Sequence, residues 1–202
     1  VTPDSFSEDG LNGDLNAIVE RALRIGEEGA DILDIGAEST RPGHTKITVE
    51  EELARLIPAL EAVASRVKLP ISVDTSKSEV ARRAIDAGAL IINDISGLKT
   101  DLKLAEVAAK AGTGLILMHN QRGTRYQNLL SDIAASLQES VNTAVLAGVP
   151  LHNIIIDPGF GFGKTPVQNI QLLQDLALVR QVGFPILVGV SRKSFIGELT
   201  GQ

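Results

Sequence analysis

The sequence predicts an α/β protein, and of the folds in this class we favour a (β/α)₈ TIM barrel. Short apolar runs alternate with helical patterns along the whole chain, which leaves an open doubly wound sheet or a closed barrel as candidates. The runs are apolar almost throughout, as parallel strands covered on both faces should be. Polar residues follow every run, whereas an open sheet concentrates its ligands at one or two switch points. This last feature favours the barrel.

Six of the apolar runs are predicted to be complete strands. They share β-branched or leucine residues and lie at 32–35, 71–74, 90–94, 115–118, 153–157 and 185–190. A barrel needs eight strands over roughly 250 residues, so we expect the first strand to precede Val1 and the eighth, with its helix, to follow Gln202. Residues 1–202 are therefore predicted to form a single barrel domain that is incomplete.

Helices are predicted between the strands from apolar residues three or four positions apart and from the residues that stop them. The predicted stops are all glycines, at Gly29, Gly88, Gly112, about Gly148 and Gly183. Three helix starts carry capping signals, which are Thr48 with Glu51, Ser76 with Glu79, and Thr165 with Pro166 and Gln168. A last short helix is predicted to open at Ser191.

The composition excludes several classes of protein. A net charge of −6 and a pI near 5.1 do not predict a nucleic-acid interface. The absence of cysteine excludes disulfides and thiolate metal sites, and the three histidines, His44, His119 and His152, lack metal-ligand spacing. No apolar run reaches the ~18 residues that a membrane helix needs. We therefore expect a cytoplasmic protein that acts on small molecules.

One segment places an acid, three glycines and a lysine between a strand and a helix. It reads Asp157-Pro-Gly-Phe-Gly-Phe-Gly-Lys-Thr165. An acid at the end of a strand, beside glycines that let a ligand approach the backbone, is typical of a binding site. Neither common phosphate motif fits, because the P-loop needs glycine where Pro158 stands and the dinucleotide motif needs glycine where Lys164 stands. We therefore assign Lys164 to the helix start rather than to a phosphate.

In a barrel, the residues that follow the strands meet at one face. The residues in these places that could face a ligand are Asp34, Thr40, Arg41, Asp74, Asn93, Asp94, Met118, His119, Asp157, Ser191 and Lys193. The carboxylates and the amide supply acceptors and Lys193 a charged donor, which suits a planar heterocycle with a donor edge and a carbonyl. Taken singly, each has an ordinary explanation as a helix cap, an ion-pair partner, a solvated lysine or, for Met118, a core side chain. Their co-occurrence favours an enzyme with a polar, planar substrate.

Six motifs together resemble the dihydropteroate synthase family over essentially the whole chain. They are Val1-Thr-Pro-Asp-Ser-Phe-Ser7, Asp34-Ile-Gly-Ala-Glu-Ser-Thr-Arg-Pro-Gly43, Ile71-Ser-Val-Asp-Thr-Ser-Lys77, Ile92-Asn-Asp-Ile95, Asp157-Pro-Gly-Phe-Gly-Phe-Gly-Lys164 and Gly189-Val-Ser-Arg-Lys-Ser194. The resemblance implies a pterin-binding TIM barrel, usually a homodimer, that joins 6-hydroxymethyl-7,8-dihydropterin diphosphate to 4-aminobenzoate in folate biosynthesis. It also implies Mg²⁺ as a cofactor and sensitivity to sulfonamides.

The resemblance further implies roles for individual residues. The pterin pocket would be formed by Asp74, Asn93, Met118, Asp157, Phe162, Gly189 and Lys193. The aminobenzoate and diphosphate site would be formed by Thr40, Arg41, Pro42, Phe162 and Ser191, with residues 40–42 and 3–9 in the two loops that close over it. The catalytic residues would be Asp74, Lys193 and Arg41. Diphosphate is expected to leave first, and fixed negative charge would stabilise the cationic methylene that remains.

Two parts of the family pattern fall outside these residues. The asparagine that binds Mg²⁺ would precede Val1, so no metal ligand is expected within 1–202, and an Arg-x-His that grips diphosphate would follow Gln202. We therefore expect the parent protein to be active and this span alone to be inactive. Two other functions remain open. One is a catalytically inactive homologue that acts as a binding subunit, and the other is a methyltetrahydrofolate-dependent corrinoid methyltransferase.

Overall fold

The structure, a computed structural model, describes residues 14–39 and 46–201, without the side chains of residues 199 and 200. The predicted loops at residues 3–9 and 40–42 lie outside the described residues. The chain forms two compact units, residues 1–93 and 94–202. In the described part of the chain, no helix is both long enough and apolar enough to cross a membrane.

The first unit alternates helices and strands as predicted. Its elements are α1 (Leu15–Glu27), β1 (Leu33–Gly36), α2 (Val49–Ala64), β2 (Ile71–Asp74), α3 (Ser78–Asp86) and β3 (Ile91–Asp94), whose last residue opens the second unit. The strands are parallel and lie side by side in chain order, with Asp34 paired in register to Ser72 and Asp74 to Asn93. Parallel neighbours in chain order are the arrangement that the barrel prediction requires.

Helix α2 confirms the predicted capping box. The Thr48 hydroxyl accepts a hydrogen bond from the Glu51 amide at 3.2 Å, and the Glu51 carboxylate accepts one from the Thr48 amide at 3.0 Å. These bonds satisfy amide groups that have no partner within the helix. The helix then buries Leu56, Leu60 and Val63, which stand on one face at helical spacing.

The predicted cap of α3 is wrong. The helix begins at Ser78, Lys77 occupies the N-cap position, and no side chain caps it. Glu79 instead faces the next turn, where it forms an ion pair with Arg82 at 2.6 Å. A glutamate three residues before an arginine lies on the same face of a helix, and here the ion pair competes with capping.

The second unit continues the alternation. Its elements are α4 (Lys103–Ala111), β4 (Gly114–Met118), α5 (Leu129–Leu146), a 3₁₀ turn (Leu151–Asn153), β5 (Ile154–Asp157), α6 (Pro166–Gln174), α7 (Leu176–Val179), a second 3₁₀ turn (Arg180–Val182) and α8 (Ser194–Thr200). Strands β4 and β5 are parallel, and the register pairs Met118 with Asp157. Thr165 and Gln168 form the predicted capping box of α6 around Pro166.

Two predictions in the second unit need correction. The helix predicted to run to Gly183 breaks at Asp175, whose backbone leaves the helical region, and α7 and the second 3₁₀ turn form the rest of that span. The strand predicted at 185–190 is reduced to one bridge, in which Ile186 pairs with Ile156. Within the described residues this segment pairs only with β5, and Leu187 and Val188 stay 38% and 39% exposed, as at a sheet edge.

A charged cluster inside the first unit was not predicted from the sequence. The Lys77 ammonium contacts the Glu38 carboxylate at 2.6 Å, the Glu52 carboxylate at 2.5 Å and the Ile47 carbonyl at 2.9 Å. Glu52 is 1% exposed. Burial opposes the charge on Lys77, but its hydrogen bonds to Glu38 and Glu52 outweigh that cost and raise the pKa of Lys77. The cluster joins the segment after β1 to the first turn of α2.

Replacing Lys77 should destabilise the first unit through the buried carboxylate of Glu52. For Lys77→Met we expect the free energy of unfolding in urea to fall by about 3 kcal/mol, since a buried charge loses its partner. The double variant Lys77→Met/Glu52→Gln should recover much of this loss, because its buried group is neutral. Equal stability of the single and double variants would contradict the account.

Candidate active site at the carboxyl ends of the strands

The first unit brings together three of the predicted polar residues. Asp74 and Asn93 lie at or next to the carboxyl ends of their strands, and Asp34 is the second residue of β1. Asp74 and Asn93 are register partners on β2 and β3, and the Asn93 amide donates to Asp34 at 3.5 Å. The Asn93 Oδ1 atom and the neighbouring Ser72 hydroxyl are buried and have no hydrogen-bond partner among the described residues. A buried carbonyl oxygen without a donor is costly, so this position suits a ligand that supplies an N–H group.

Asp34 lies in an environment that disfavours its charge. Solvent reaches part of its side chain, but the surrounding protein desolvates the carboxyl and raises its pKa. The side chains of Ser72 and Asn93 oppose this rise in the pKa, although the Ser72 hydroxyl forms no hydrogen bond of regular geometry among the described residues. The strand ends of the first unit therefore hold carboxyl and amide groups in partly desolvated surroundings.

Asp94 does not belong to the ligand face that the sequence predicted. It is buried, and its two carboxylate oxygens accept the amides of Ser96 at 2.8 Å and Leu98 at 2.7 Å. These bonds hold a turn in which Leu98 takes a left-handed conformation, with φ of 66°. A strand-end aspartate is used here as a turn cap, an alternative that its position alone could not exclude.

The second unit places Asp157 beside Met118 at the ends of β5 and β4. Asp157 is 7% exposed, and its Oδ1 atom accepts the Gly159 amide at 2.7 Å. Burial raises the pKa of Asp157 to about 6, against the lowering effects of that amide and of the charges on Lys193 and Lys164. A carboxylate held in this way is ready to accept further hydrogen bonds from a ligand.

Lys193 and Phe162, both predicted to line the pterin pocket, contact each other in the second unit. The Lys193 ammonium lies 4.5 Å from the centre of the Phe162 ring, a cation–π contact. The approach depends on Gly161, because a β-carbon there would lie 3.1 Å from the Lys193 side chain. Ser191 is exposed and Gly189 half-buried, and their assignment to the ligand site stays a prediction.

His119 and Lys164 have different positions from those predicted. His119 was placed on the ligand face and Lys164 at the helix start, but both are buried and contact each other. The Lys164 ammonium lies 3.1 Å from His119 Nδ1 and donates to the carbonyls of Gly159 at 2.8 Å and Phe162 at 3.0 Å. The sequence contains only one indication of this contact. It has a lysine directly after the last glycine of the segment and a histidine directly after β4.

Burial controls the charges of this pair. It lowers the pKa of His119 to about 3, and the positive charges of Lys164 and Lys99 add to the effect. Burial also lowers the pKa of Lys164 to about 7, although the charge of Asp157 acts in the opposite direction. The imidazole is therefore neutral near pH 7. When Lys164 carries its ammonium, His119 Nδ1 accepts the hydrogen bond, because an ammonium has no lone pair.

Thr40, Arg41 and Pro42 lie outside the described residues, so their predicted roles stay predictions. The described residues also contain no group of three or more His, Cys, Asp or Glu side chains arranged to hold a metal ion. They therefore give no support to a complete Mg²⁺ site.

The buried neutral histidine predicts a measurable pH dependence. Since folding lowers the pKa of His119 from its usual 6.5 to about 3, the unfolded chain binds the proton more tightly in that interval. Stability should therefore fall as the pH drops below about 6.5, with a slope of up to about 1.4 kcal/mol per pH unit from this group.

The measurement compares urea unfolding of the parent protein and His119→Asn between pH 7 and 4.5. The asparagine can keep an acceptor for Lys164 but does not titrate. Asp157 titrates in the same range with the opposite sign, so only the difference between the two curves reports on His119. Parallel curves would contradict a buried neutral imidazole.

Known proteins resemble this chain over its whole length. The model of the pterin binding enzyme family matches residues 1–202. The dihydropteroate synthase of Clostridium beijerinckii is 47% identical over 97% of this chain and 73% of its own length, and that of Bacillus subtilis is 46% identical over 98% and 70%. The chain thus spans about three quarters of the length of these relatives.

Solved structures give the same result. The Xanthomonas albilineans dihydropteroate synthase with 4-aminobenzoic acid superposes with a TM-score of 0.92, at 43% identity, over 100% of this chain and 74% of that one. The Yersinia pestis enzyme in a sulfonamide complex gives a TM-score of 0.94 at 41% identity, over 100% and 76%. This likeness confirms the predicted barrel class. The chain belongs to the pterin-binding enzymes and, among them, to the dihydropteroate synthases.

Proposed function

We propose that this protein is a dihydropteroate synthase. It condenses 6-hydroxymethyl-7,8-dihydropterin diphosphate with 4-aminobenzoate to give 7,8-dihydropteroate and diphosphate in folate biosynthesis. The main structural support for this proposal is the buried Asp157 carboxylate. Lys193 and Phe162 contact each other close to it. A carboxylate, a cation and an aromatic ring in one desolvated place suit a flat, nitrogen-rich substrate with a charged leaving group.

The pterin is proposed to bind through groups at and after the carboxyl ends of the strands. Its ligands would be Asp74, Asn93, Met118, Asp157, Phe162, Gly189 and Lys193. The pterin edge donates N–H groups, and Asn93 Oδ1 and the Asp157 carboxylate are acceptors with unused capacity among the described residues. Lys193 would donate to the ring, and Met118 and Phe162 would contact its faces.

The second substrate is proposed to bind next to Phe162. Ser191 and the segment Thr40-Arg41-Pro42 would complete the aminobenzoate and diphosphate site. A structure of the X. albilineans enzyme contains 4-aminobenzoic acid, and one of the Y. pestis enzyme contains a sulfonamide drug, which supports a pocket for such arylamines in this family.

The proposed reaction is dissociative. The bond between the pterin methylene carbon and a diphosphate oxygen breaks first, and a bond from that carbon to the aniline nitrogen then forms as the nitrogen loses a proton. The fixed carboxylate of Asp74 would stabilise the cationic methylene. Lys193 and Arg41 would offset the negative charge that develops on the departing diphosphate.

Three further features are proposed from the family resemblance. They are Mg²⁺ as a partner of the diphosphate, a homodimer and a cytoplasmic location. Mg²⁺ prefers oxygen ligands and commonly binds through substrate phosphates, so a site built largely on diphosphate suits it. The chain's lack of cysteine is compatible with a reducing compartment.

Turnover by the full-length protein tests the proposed function. We expect it to form 7,8-dihydropteroate from both substrates and to release diphosphate, with sulfonamides competing against 4-aminobenzoate. An inactive homologue would bind the pterin without turnover, and a corrinoid methyltransferase would show no sulfonamide competition. Failure to form dihydropteroate under conditions that support a known synthase would refute the proposal.

Replacing Asp157 by asparagine tests the pterin ligand. Asp157→Asn keeps the shape of the side chain but places an NH₂ group against the donor edge of the pterin. We expect pterin affinity, measured by calorimetry at pH 7.5, to fall by about 2–3 kcal/mol, because buried donors lose their acceptor. Asp86→Asn removes an exposed carboxylate at the end of α3 and should leave affinity unchanged.

The same titration gives a pH test of Asp157. Because burial raises the pKa of Asp157 to about 6, pterin binding by the parent protein should weaken as the pH falls through that value. The Asp157→Asn variant should lack this dependence. Unchanged affinity in the variant would mean that the ring binds elsewhere.

A further inference from the structure

Lys164 is the most deeply enclosed cation near the predicted pocket residues of the second unit, and the chemistry proposed above does not use it. Its side chain is 8% exposed. Its ammonium has three neighbours at hydrogen-bond distance, which are the Gly159 carbonyl at 2.8 Å, the Phe162 carbonyl at 3.0 Å and His119 Nδ1 at 3.1 Å. Three acceptors match the three protons of an ammonium, so the protonated side chain has a hydrogen-bond partner for each of them.

The three acceptors tie together parts of the chain that are distant in sequence. Gly159 and Phe162 belong to the glycine segment 157–163, and His119 follows β4. The backbone strengthens this link, because the His119 amide donates to the Asp157 carbonyl at 2.8 Å. Lys164 thus joins the ends of two neighbouring strands through one buried nitrogen.

The glycine segment has a conformation that its own residues do not impose. Gly159, Gly161 and Gly163 have φ of +72°, +80° and +59°, which glycine adopts without strain but does not favour over other conformations. The segment also lies directly against the residues after β4, since a β-carbon on Gly159 would meet the His119 carbonyl at 2.0 Å. A flexible segment in such close contact needs polar anchors to stay in one place.

Those anchors hold in place the residues that are proposed to bind the substrates. The Gly159 carbonyl accepts both from Lys164 and from the Phe162 amide at 3.1 Å, and the Gly159 amide donates to Asp157 Oδ1. Asn169 adds a second anchor by accepting the Gly161 amide at 2.8 Å. The Phe162 ring in turn carries the Lys193 ammonium on its face.

We propose that Lys164 is a positioning residue of the synthase reaction, which holds the glycine segment so that the Phe162 ring and the Asp157 carboxylate meet the substrates. The inference rests on the proposed function, because that function supplies the substrates. Lys164 itself touches neither substrate. It acts through its hydrogen bonds to the carbonyls of Gly159 and Phe162 and to His119. The imidazole must stay neutral, because only then can Nδ1 accept the third hydrogen bond of the ammonium.

The first test is Lys164→Met, which keeps the apolar stem and removes the three donors. We expect KM for 4-aminobenzoate to rise at least about tenfold, as for groups moved from their productive positions. The value of kcat should change much less, since Phe162 contacts the arylamine in the ground state and the transition state alike. Val141→Ala, a buried truncation on α5, should lower the melting temperature without raising KM.

Chemical rescue separates positioning from general loss of structure. In Lys164→Ala, added propylammonium replaces the deleted methylenes and the ammonium, and it should lower the raised KM toward the parent value. Tetramethylammonium carries the same charge but has no N–H donor, and it should not rescue. Neither salt should affect Val141→Ala. Failure of propylammonium to rescue, or equal rescue by both cations, would overturn the proposal.

Hydrogen exchange supplies a readout that needs no turnover. In Lys164→Met, the amides of Gly161 and Phe162 should exchange at least about tenfold faster, because their anchored segment opens locally. The amides of α5 should exchange as in the parent protein. If the parent protein forms no dihydropteroate, the proposed function fails. Hydrogen exchange alone then tests whether Lys164 holds the glycine segment. Unchanged exchange and unchanged KM would show that Lys164 does not hold the segment.

Discussion

Most apolar residues of the strands are buried, and this constraint limits where the chemistry can lie. Ile71 and Val73 on β2, like Ile154 and Ile156 on β5, are almost fully shielded from solvent. A polar side chain in the middle of such a strand would be buried without a partner. Ser72 on β2 shows this cost, since its buried hydroxyl has no hydrogen-bond partner among the described residues, whereas Asp74, Asn93 and Asp157 stand at or next to the carboxyl ends of their strands. The location of the candidate site follows from the packing of the strands.

Burial is also the largest influence on the charges at those ends. It raises the pKa of Asp34 and Asp157 and lowers the pKa of His119 and Lys164. Each shift marks a group that water solvates poorly and that neighbouring polar atoms must hold in place. Hydrogen bonds and charge interactions are stronger in such surroundings than in water. The same desolvation that costs stability thus prepares the strand ends to bind a polar ring.

Much of this arrangement could be predicted from the sequence, and the failures have physical causes. Apolar runs and capping boxes identified β1 to β5 and the starts of α2 and α6, because these signals are local. The predicted cap of α3 failed because Glu79 pairs with Arg82 instead, and the predicted strand at 185–190 forms only the bridge between Ile186 and Ile156. The sequence assigned Asp94 to the ligand face and Lys164 to the helix start, and the structure shows other contacts for both, because a strand-end acid or a lysine after a glycine serves a ligand or the fold according to tertiary contacts. The residues that form the Lys77 cluster are far apart in the chain, so their pairing had no sequence signal.

The central claim is that strand-end acceptors bind the donor edge of a pterin. A crystal structure of the full-length protein with a bound dihydropterin tests it most directly. The account predicts pterin N–H groups within about 3 Å of the Asp157 carboxylate and of Asn93 Oδ1, with the ring close to Lys193. A well-ordered pterin that contacts neither Asp157 nor Asn93 would contradict the account.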